Sequence, residues 1–146
     1  MNNNGKELLE YIYSDASMGV KSMNTLYNVL NNKDNKIKDV VEDILKEYKS
    51  YLNECEKILK KYKITPSKPT LLSELGSFMG IKMEIMKDNS DSRVADMIIK
   101  GLNMGVINLD KKINDFKDKA DKDIIKLAKS MKEMQDREIT ALKEFL

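Results

Sequence analysis

The sequence predicts an all-α protein, a four-helix bundle with one additional crossover helix. Apolar residues recur at alternating steps of three and four along nearly all of the 146 residues, and this spacing is typical of helices with one buried face. The two prolines, Pro66 and Pro69, stand together near the middle, where they exclude a helix interior. No β-rich run appears. The chain length suits a single domain, 1–146.

The first helical hairpin is predicted over residues 5–62. Its first helix, about 5–31, carries a regular apolar stripe, and a polar turn follows. Asp34 or Asn35 is a plausible N-cap for the next helix, because their short side chains accept from free backbone amides. That second helix, about 36–62, has an unbroken apolar stripe with Lys and Glu on the far face.

The prolines lie near the start of a predicted crossover segment, 63–91, which connects the two hairpins. It contains a shorter predicted helix at about 70–87. A second hairpin, 92–146, follows a polar cap. Its helices are expected at about 92–117 and 122–145. Two tight hairpins joined by a long crossover give a four-helix bundle.

A tripeptide repeats in the two halves of the chain: Met18-Gly19-Val20 recurs as Met104-Gly105-Val106. Glycine within a helix costs about 1 kcal/mol relative to alanine. Because both glycines stand on inward stripes, we expect backbones to approach closely there. The simpler interpretation is relief of core crowding; the alternative is a cofactor cleft.

The composition excludes many activities. The chain has no histidine, which rules out Ser-His-Asp and Cys-His nucleophile systems and the usual imidazole-containing metal sites. There is no glycine-rich phosphate loop. We therefore expect no enzymatic activity, no catalytic residue, no cofactor and no metal.

The charge balance and the hydropathy pattern limit which partners and which location are expected. The 26 Lys and Arg residues oppose 24 Asp and Glu residues, so no single-sign field favours nucleic acid or a membrane. The lysine runs alternate with acidic residues, as on a solvated helix face. The N-terminal residues lack a basic segment before an apolar run. We expect a soluble, cytoplasmic protein.

The segment from Met97 to Gly105, together with Gly19 and Gly101, resembles the ferritin-like superfamily. The chain is most similar to small rubrerythrin-related bacterial domains of unknown function, and the resemblance runs from Glu7 to the C-terminus. It implies an up-down-down-up bundle, often dimeric, whose functional members hold two irons in the core.

This sequence departs from that family at the iron ligands. A di-iron site needs a Glu from each of two helices and a Glu-x-x-His pair from each of the others. The positions expected for those pairs carry Tyr48, Tyr51, Gln135 and Glu138. Asp15 and Glu47 lie only on stripe edges, which leaves Glu138 as the one inward carboxylate. We therefore expect no di-iron centre.

Two candidate binding features remain. A polar pocket in the bundle centre could be formed by five side chains: Tyr48, Tyr51, Cys55, Gln135 and Glu138. The alternative for these residues is a buried hydrogen-bonded network, because buried polar groups normally find partners. Cys55, the only cysteine, could be a redox-sensing thiol or a buried inert one.

The crossover helix is apolar on more than one face, which favours contact with a second subunit. The residues proposed for a homodimer interface are Leu72, Leu75, Phe78, Met79 and Met83. The leading functional interpretation is a non-enzymatic structural or protein-interaction module. Its alternative is a divergent protein that binds a small ligand or metal in a polar pocket of the core.

Overall fold

All the regular structure in residues 1–66 and 80–146, which the computed structural model describes, is helical. The all-α prediction is confirmed for these residues. The helices are α1 (Asn3–Val29), α2 (Lys38–Lys61), the described part of α3 (residues 80–87), α4 (Asp91–Phe116) and α5 (Lys122–Leu142). The chain ends in a single 3-10 turn, Lys143–Phe145, where the sequence predicts three more α-helical residues.

Two helical hairpins form the body of the protein. Helix α1 packs along α2, and α4 packs along α5; α1 also contacts α4 and α5, and α2 contacts α5. The apolar stripes predicted from the sequence meet in one core. Its largest fully buried side chains include Leu8, Ile12, Ile44, Leu109 and Met131. The remaining surfaces carry Lys, Asp and Glu, as the periodicity requires.

Asp91, the first residue of α4, joins the two hairpins at one end of the bundle. Its Oδ1 accepts from Asn35 Nδ2 at 2.9 Å, and its Oδ2 accepts from the backbone N–H of Lys36 at 3.2 Å. A carboxylate at a helix N-terminus binds free amides and opposes the positive end of the helix dipole. The prediction that Asp34 or Asn35 caps α2 is wrong: no described side chain caps this helix, and Asp91 of α4 binds the backbone N–H groups of Lys36 and Ile37 just before it.

Asn2 joins the hairpins at the other end. Its side-chain oxygen caps α1 by accepting from Gly5 N–H at 2.7 Å, and its Nδ2 donates to the Lys119 carbonyl at 2.9 Å. Its backbone N–H donates to Asp121 Oδ1 at 3.2 Å. Helix α5 therefore begins beside the start of α1, whereas α4 begins beside the end of α1.

The described part of α3 lies against α4. Arg93 of α4 forms an ion pair with Glu84 of α3 and with Asp96 one turn further along α4. Ile85 is only 2% exposed, so one face of α3 belongs to the core. Of the proposed interface residues, Met83 is 56% exposed, and the others, Leu72, Leu75, Phe78 and Met79, lie outside the described residues.

No helix within residues 1–66 and 80–146 is both long enough and apolar enough to cross a membrane. The cytoplasmic location stays a prediction.

Candidate functional site

Three helices bring one polar side chain each to the middle of the bundle. Gln135 of α5 is fully buried. Its Nε2 donates to Asp15 Oδ2 of α1 at 3.2 Å and to the Tyr48 hydroxyl of α2 at 3.2 Å. We call Asp15, Tyr48 and Gln135 the central polar cluster. An ionised carboxylate accepts hydrogen bonds and cannot donate them. When Asp15 is ionised, the Gln135 amide therefore turns its nitrogen toward it.

The two repeated glycines make room for this cluster. A Cβ added at Gly19 would lie 2.6 Å from the Tyr48 ring, and one added at Gly105 would lie 2.7 Å from Gln135 Nε2. These distances are far below van der Waals contact, so only glycine fits at either position without a shift. The predicted close approach exists, but the approaching group is a side chain of another helix and not its backbone.

The amide of Gln135 is only half satisfied by the protein. Its Oε1 is buried and has no hydrogen-bond partner among the described residues. An unpaired buried acceptor costs about 1–3 kcal/mol. The unpaired Oε1 therefore lowers the free energy of unfolding. Unpaired buried polar groups are often found where they serve a function.

The Asp15 carboxylate lies in an unusual electrostatic setting. Burial raises its pKa above the ordinary value, and the hydrogen bond from Gln135 opposes that rise in part. No cation of the described residues lies within ion-pair distance of it. Burial and the nearby charge of Asp15 raise the pKa of Tyr48 as well, so Tyr48 stays a neutral phenol at physiological pH.

The raised pKa has a consequence for stability. Because folded Asp15 holds its proton more tightly than the unfolded chain does, its contribution to stability is fully present below the unfolded pKa, about 4. That contribution is lost as the pH rises through the raised folded value. At a pH above the folded pKa, ionised Asp15 therefore lowers the free energy of unfolding.

Beside the cluster is a cavity of about 370 Å³ between α1 and α4, which Ile81 of α3 also lines. We call it the α1–α4 cavity. Asp15 and Tyr48 line it, and Asp15 is the one charged residue among the described lining residues. Its other lining residues include Met18, Ser22, Met23, Met97, Gly101 and Met104. Because Gly101 and Met104 are exposed, the cavity reaches the surface of the protein beside them.

The cavity can hold an organic molecule. Ligand sites are usually concave spaces of about 300–1,000 Å³ with mostly apolar walls and a few placed polar groups. Methionine has three rotatable bonds and a polarizable sulfur, so a wall rich in methionine adapts to ligand shape. Asp15, Ser22 and Tyr48 supply the polar groups that could orient such a ligand.

The structure separates the five residues that the sequence places in one pocket. Tyr48 and Gln135 touch, as described. The Tyr51 hydroxyl instead shares a hydrogen bond of 2.7 Å with Ser130 Oγ at the surface. Cys55 is fully buried, and burial, with the nearby charges of Glu54 and Glu56, raises the pKa of its thiol to about 12. A thiol of this kind is protonated at neutral pH and is a poor nucleophile.

Glu138 belongs to a separate charged group between α2 and α5. Arg137 Nη2 lies 2.8 Å from Glu47 Oε1, and its Nε lies 3.8 Å from Glu138 Oε1. Burial and the neighbouring Glu47 raise the pKa of Glu138, and Arg137 opposes this. Glu138 does not line the α1–α4 cavity, so this group lies at the α2–α5 contact and is not part of the candidate site.

The sequence interpretation missed Asp15. It placed this residue on a stripe edge, whereas the folded chain turns its carboxylate onto Gln135 and the cavity. One signal was available: Asp15 stands four residues before Gly19, which places both on the same side of α1. A carboxylate above an inward helical glycine could have indicated a polar neighbour in that space.

Within the part of the chain that the structure describes, no group of three or more Cys, Asp and Glu residues could hold a metal ion. No family model, curated protein or solved structure matches this chain. The case for a function therefore rests on the geometry of the bundle.

Proposed function

We propose that this protein is a non-enzymatic binding protein that holds a small molecule in the α1–α4 cavity. The observation that carries the proposal is the cavity itself, about 370 Å³ in volume and walled by apolar side chains around one charged group, Asp15. Because the cavity opens to the surface beside Gly101 and Met104, a small molecule can enter it from solvent. Its volume and its mostly apolar wall with a few polar groups are typical of ligand sites.

The small residues of the wall support the same proposal. Gly101 and Ser22 face the cavity, and a Cβ added at Gly101 would meet no atom of the described residues within 4 Å. Glycine at this helical position costs about 1 kcal/mol relative to alanine. Among the described residues no neighbour requires glycine there, unlike at Gly19 and Gly105, and a glycine keeps the cavity open beside it.

A titration with n-hexanol tests binding in the cavity. With carbon-13 methyl-labelled methionine, we expect the signals of Met18, Met23 and Met97 to shift and saturate at millimolar alcohol, because those side chains line the cavity. The signal of Met131, which is fully buried elsewhere in the core, serves as the internal control and should stay in place.

A matched pair of serine variants locates the site. Ser22→Leu puts a larger side chain into the cavity and should weaken n-hexanol binding by about tenfold or more, since the ligand must then displace it. Ser50→Leu makes the same change at an exposed position of α2 and should leave the binding unaltered. Equal affinity in both variants, or shifts at Met131 alone, would contradict binding in this cavity.

We also propose that the bundle is ferritin-like, with an up-down-down-up order of helices. Two observations support this order. Asp91 places the start of α4 beside the end of α1 and the start of α2, and Asn2 places the start of α5 beside the start of α1. In the proposed fold the central polar cluster occupies the middle of the bundle, where iron-binding relatives carry their ligands.

Self-association is a second candidate function, and exposed apolar side chains favour it. Met83 and Met86 of α3 are 56% and 84% exposed, and Met104 and Ile107 of α4 are 66% and 54% exposed. We propose that a second copy of the chain covers Met83 in a homodimer. Burying such side chains would contribute about 1.5–3 kcal/mol each.

Light scattering at low micromolar concentration tests the homodimer. The unaltered protein should have twice the mass of the chain, and Met83→Asp should shift it toward the monomer, because a buried unpaired charge opposes association. Leu146→Asp changes an equally exposed apolar residue at the end of the chain and should leave the mass unchanged. A monomer at all concentrations would rule out this candidate.

A further inference from the structure

We propose that the ligand of the α1–α4 cavity is an amine with an apolar body, held by its ammonium group on Asp15. This inference rests on the proposed function, because it names the class of molecule that the cavity binds. It follows from one charged group in a wall that is otherwise mostly apolar.

The first step concerns the missing counter-charge. Asp15 is half-buried, which raises its pKa, and its one hydrogen bond to the described residues is the contact from Gln135 Nε2 to Oδ2. Carboxylates withdrawn from water are normally paired with a cation or bound to a metal. The described residues supply neither, so a cationic ligand would complete the site.

The second step concerns the geometry of the carboxylate. An ionised carboxylate has about four acceptor positions on its two oxygens, and Gln135 takes one of them on Oδ2. The remaining positions are available to a donor in the cavity, which Asp15 lines. An ammonium group has three donors, and a charge-assisted N–H···O bond is about twice as strong as a neutral one.

The third step concerns the rest of the ligand. The methionines and Leu26, Ile81, Ile98 and Leu102 line the cavity, and they favour an alkyl or aryl group over a second charge. No described lining residue is basic, so nothing there would neutralise a carboxylate or phosphate, and Asp15 would repel one. The site therefore selects an apolar amine and rejects an anion of the same shape.

Three straight-chain probes of equal length test this selection: n-hexylamine, n-hexanol and hexanoate. At neutral pH, methyl NMR or calorimetry should show that n-hexylamine binds at least about tenfold more tightly than n-hexanol. Hexanoate should bind more weakly than n-hexanol. Each probe has six carbons in a straight chain, and the hexyl group is identical in n-hexylamine and n-hexanol, so the difference between these two reports the head group.

Asp15→Asn isolates the carboxylate, because asparagine keeps the shape and can still accept from Gln135. In this variant the preference for n-hexylamine over n-hexanol should disappear, whereas n-hexanol affinity should change little. Glu10→Gln removes a charge from the same helix at a residue that does not line the cavity and should keep the preference. Urea unfolding checks that Asp15→Asn is folded; at neutral pH it should be no less stable than the unaltered chain.

The outcomes separate the two proposals. If n-hexanol binds but n-hexylamine has no advantage, or keeps its advantage in Asp15→Asn, the amine inference is overturned and the binding function stands. If no probe shifts the methionines of the cavity, the proposed function itself fails. A tenfold or greater preference that Asp15→Asn abolishes and Glu10→Gln retains supports both.

Discussion

Replacing Gly19 with alanine is expected to lower the free energy of unfolding by about 2 kcal/mol. The new methyl carbon would lie 2.6–2.7 Å from three ring carbons of Tyr48. Forcing an extra carbon into a packed core costs about 1–3 kcal/mol and occasionally more. The gain of about 1 kcal/mol in helix propensity offsets only part of it.

Tyr48 cannot easily yield to this methyl group. Its side chain is 5% exposed, and the nearest atoms include Cγ, which moves only if the whole side chain or α2 moves. A shift of the ring would also disturb the hydrogen bond between its hydroxyl and Gln135. The clash therefore strains both the contact between α1 and α2 and the central polar cluster.

Urea unfolding followed by far-ultraviolet circular dichroism measures this effect, and Gly101→Ala is the matched control. Gly101 is also within a helix, but a Cβ there meets no atom of residues 1–66 and 80–146 within 4 Å. We expect Gly101→Ala to be neutral or to raise the free energy of unfolding by up to about 1 kcal/mol. If Gly19→Ala stabilises the protein as Gly101→Ala does, Tyr48 does not pack against Gly19 as described.

Replacing Gly105 with alanine is expected to lower the free energy of unfolding by about 1–2 kcal/mol. The added Cβ would lie 2.7 Å from Gln135 Nε2 and 3.1 Å from Cδ and Oε1. The amide is the far end of a flexible side chain, so it can retreat. Its retreat would break the bonds to Asp15 and Tyr48 and leave two more buried polar groups without a partner.

A double-mutant cycle with Gln135→Ala tests this origin. Once the amide is absent, Gly105→Ala should cost little or should stabilise, so the two changes should be non-additive by about 1 kcal/mol or more. Carbon-13 NMR of the Asp15 carboxyl adds a second readout. Because the bond from Gln135 lowers the pKa of Asp15, Gly105→Ala should raise that pKa further. Additive energies together with an unmoved pKa would show that Gln135 is not displaced.

The central polar cluster and the glycines beside it lower the free energy of unfolding of the protein. The chain keeps an ionisable group, a half-satisfied amide and two helical glycines, Gly19 and Gly105, at the centre of the bundle, where apolar side chains would pack more favourably. Natural proteins accept such departures mostly at functional positions. We expect Asp15→Asn to be no less stable at neutral pH and to lose the preference for an amine. Both effects have one cause, the removal of the carboxylate.

Much of the fold could be predicted from the sequence, because helix periodicity is a local property. The four long helices lie within about three residues of their expected ends, and the polar cap predicted before the second hairpin contains Ser90, the N-cap of α4. The same stripes predicted most of the core. The glycines on the inward stripes also predicted a close approach, since glycine inside a helix is unfavourable unless space demands it.

The candidate site could be predicted only in part, and the reason is visible in two residues. Tyr48 and Gln135 stand on inward stripes, so their burial followed from spacing. Asp15 stands beside the stripe, and its role depends on where α5 places the Gln135 amide, which is 120 positions away in the chain. A contact of this kind depends on the rotation of two helices about their axes, and sequence periodicity does not determine that rotation to within one side chain.

The sequence by itself determined an all-helical chain, its two hairpins and the absence of any imidazole chemistry. The tertiary structure alone decided which polar groups meet, that Asp91 of α4 binds the backbone just before α2, and that a cavity opens beside Asp15. The physical reason is the distance along the chain over which each interaction acts. Hydrophobic spacing and capping act over a few neighbouring residues, whereas packing of one helix against another sets the position of a carboxylate, an amide and a cavity together.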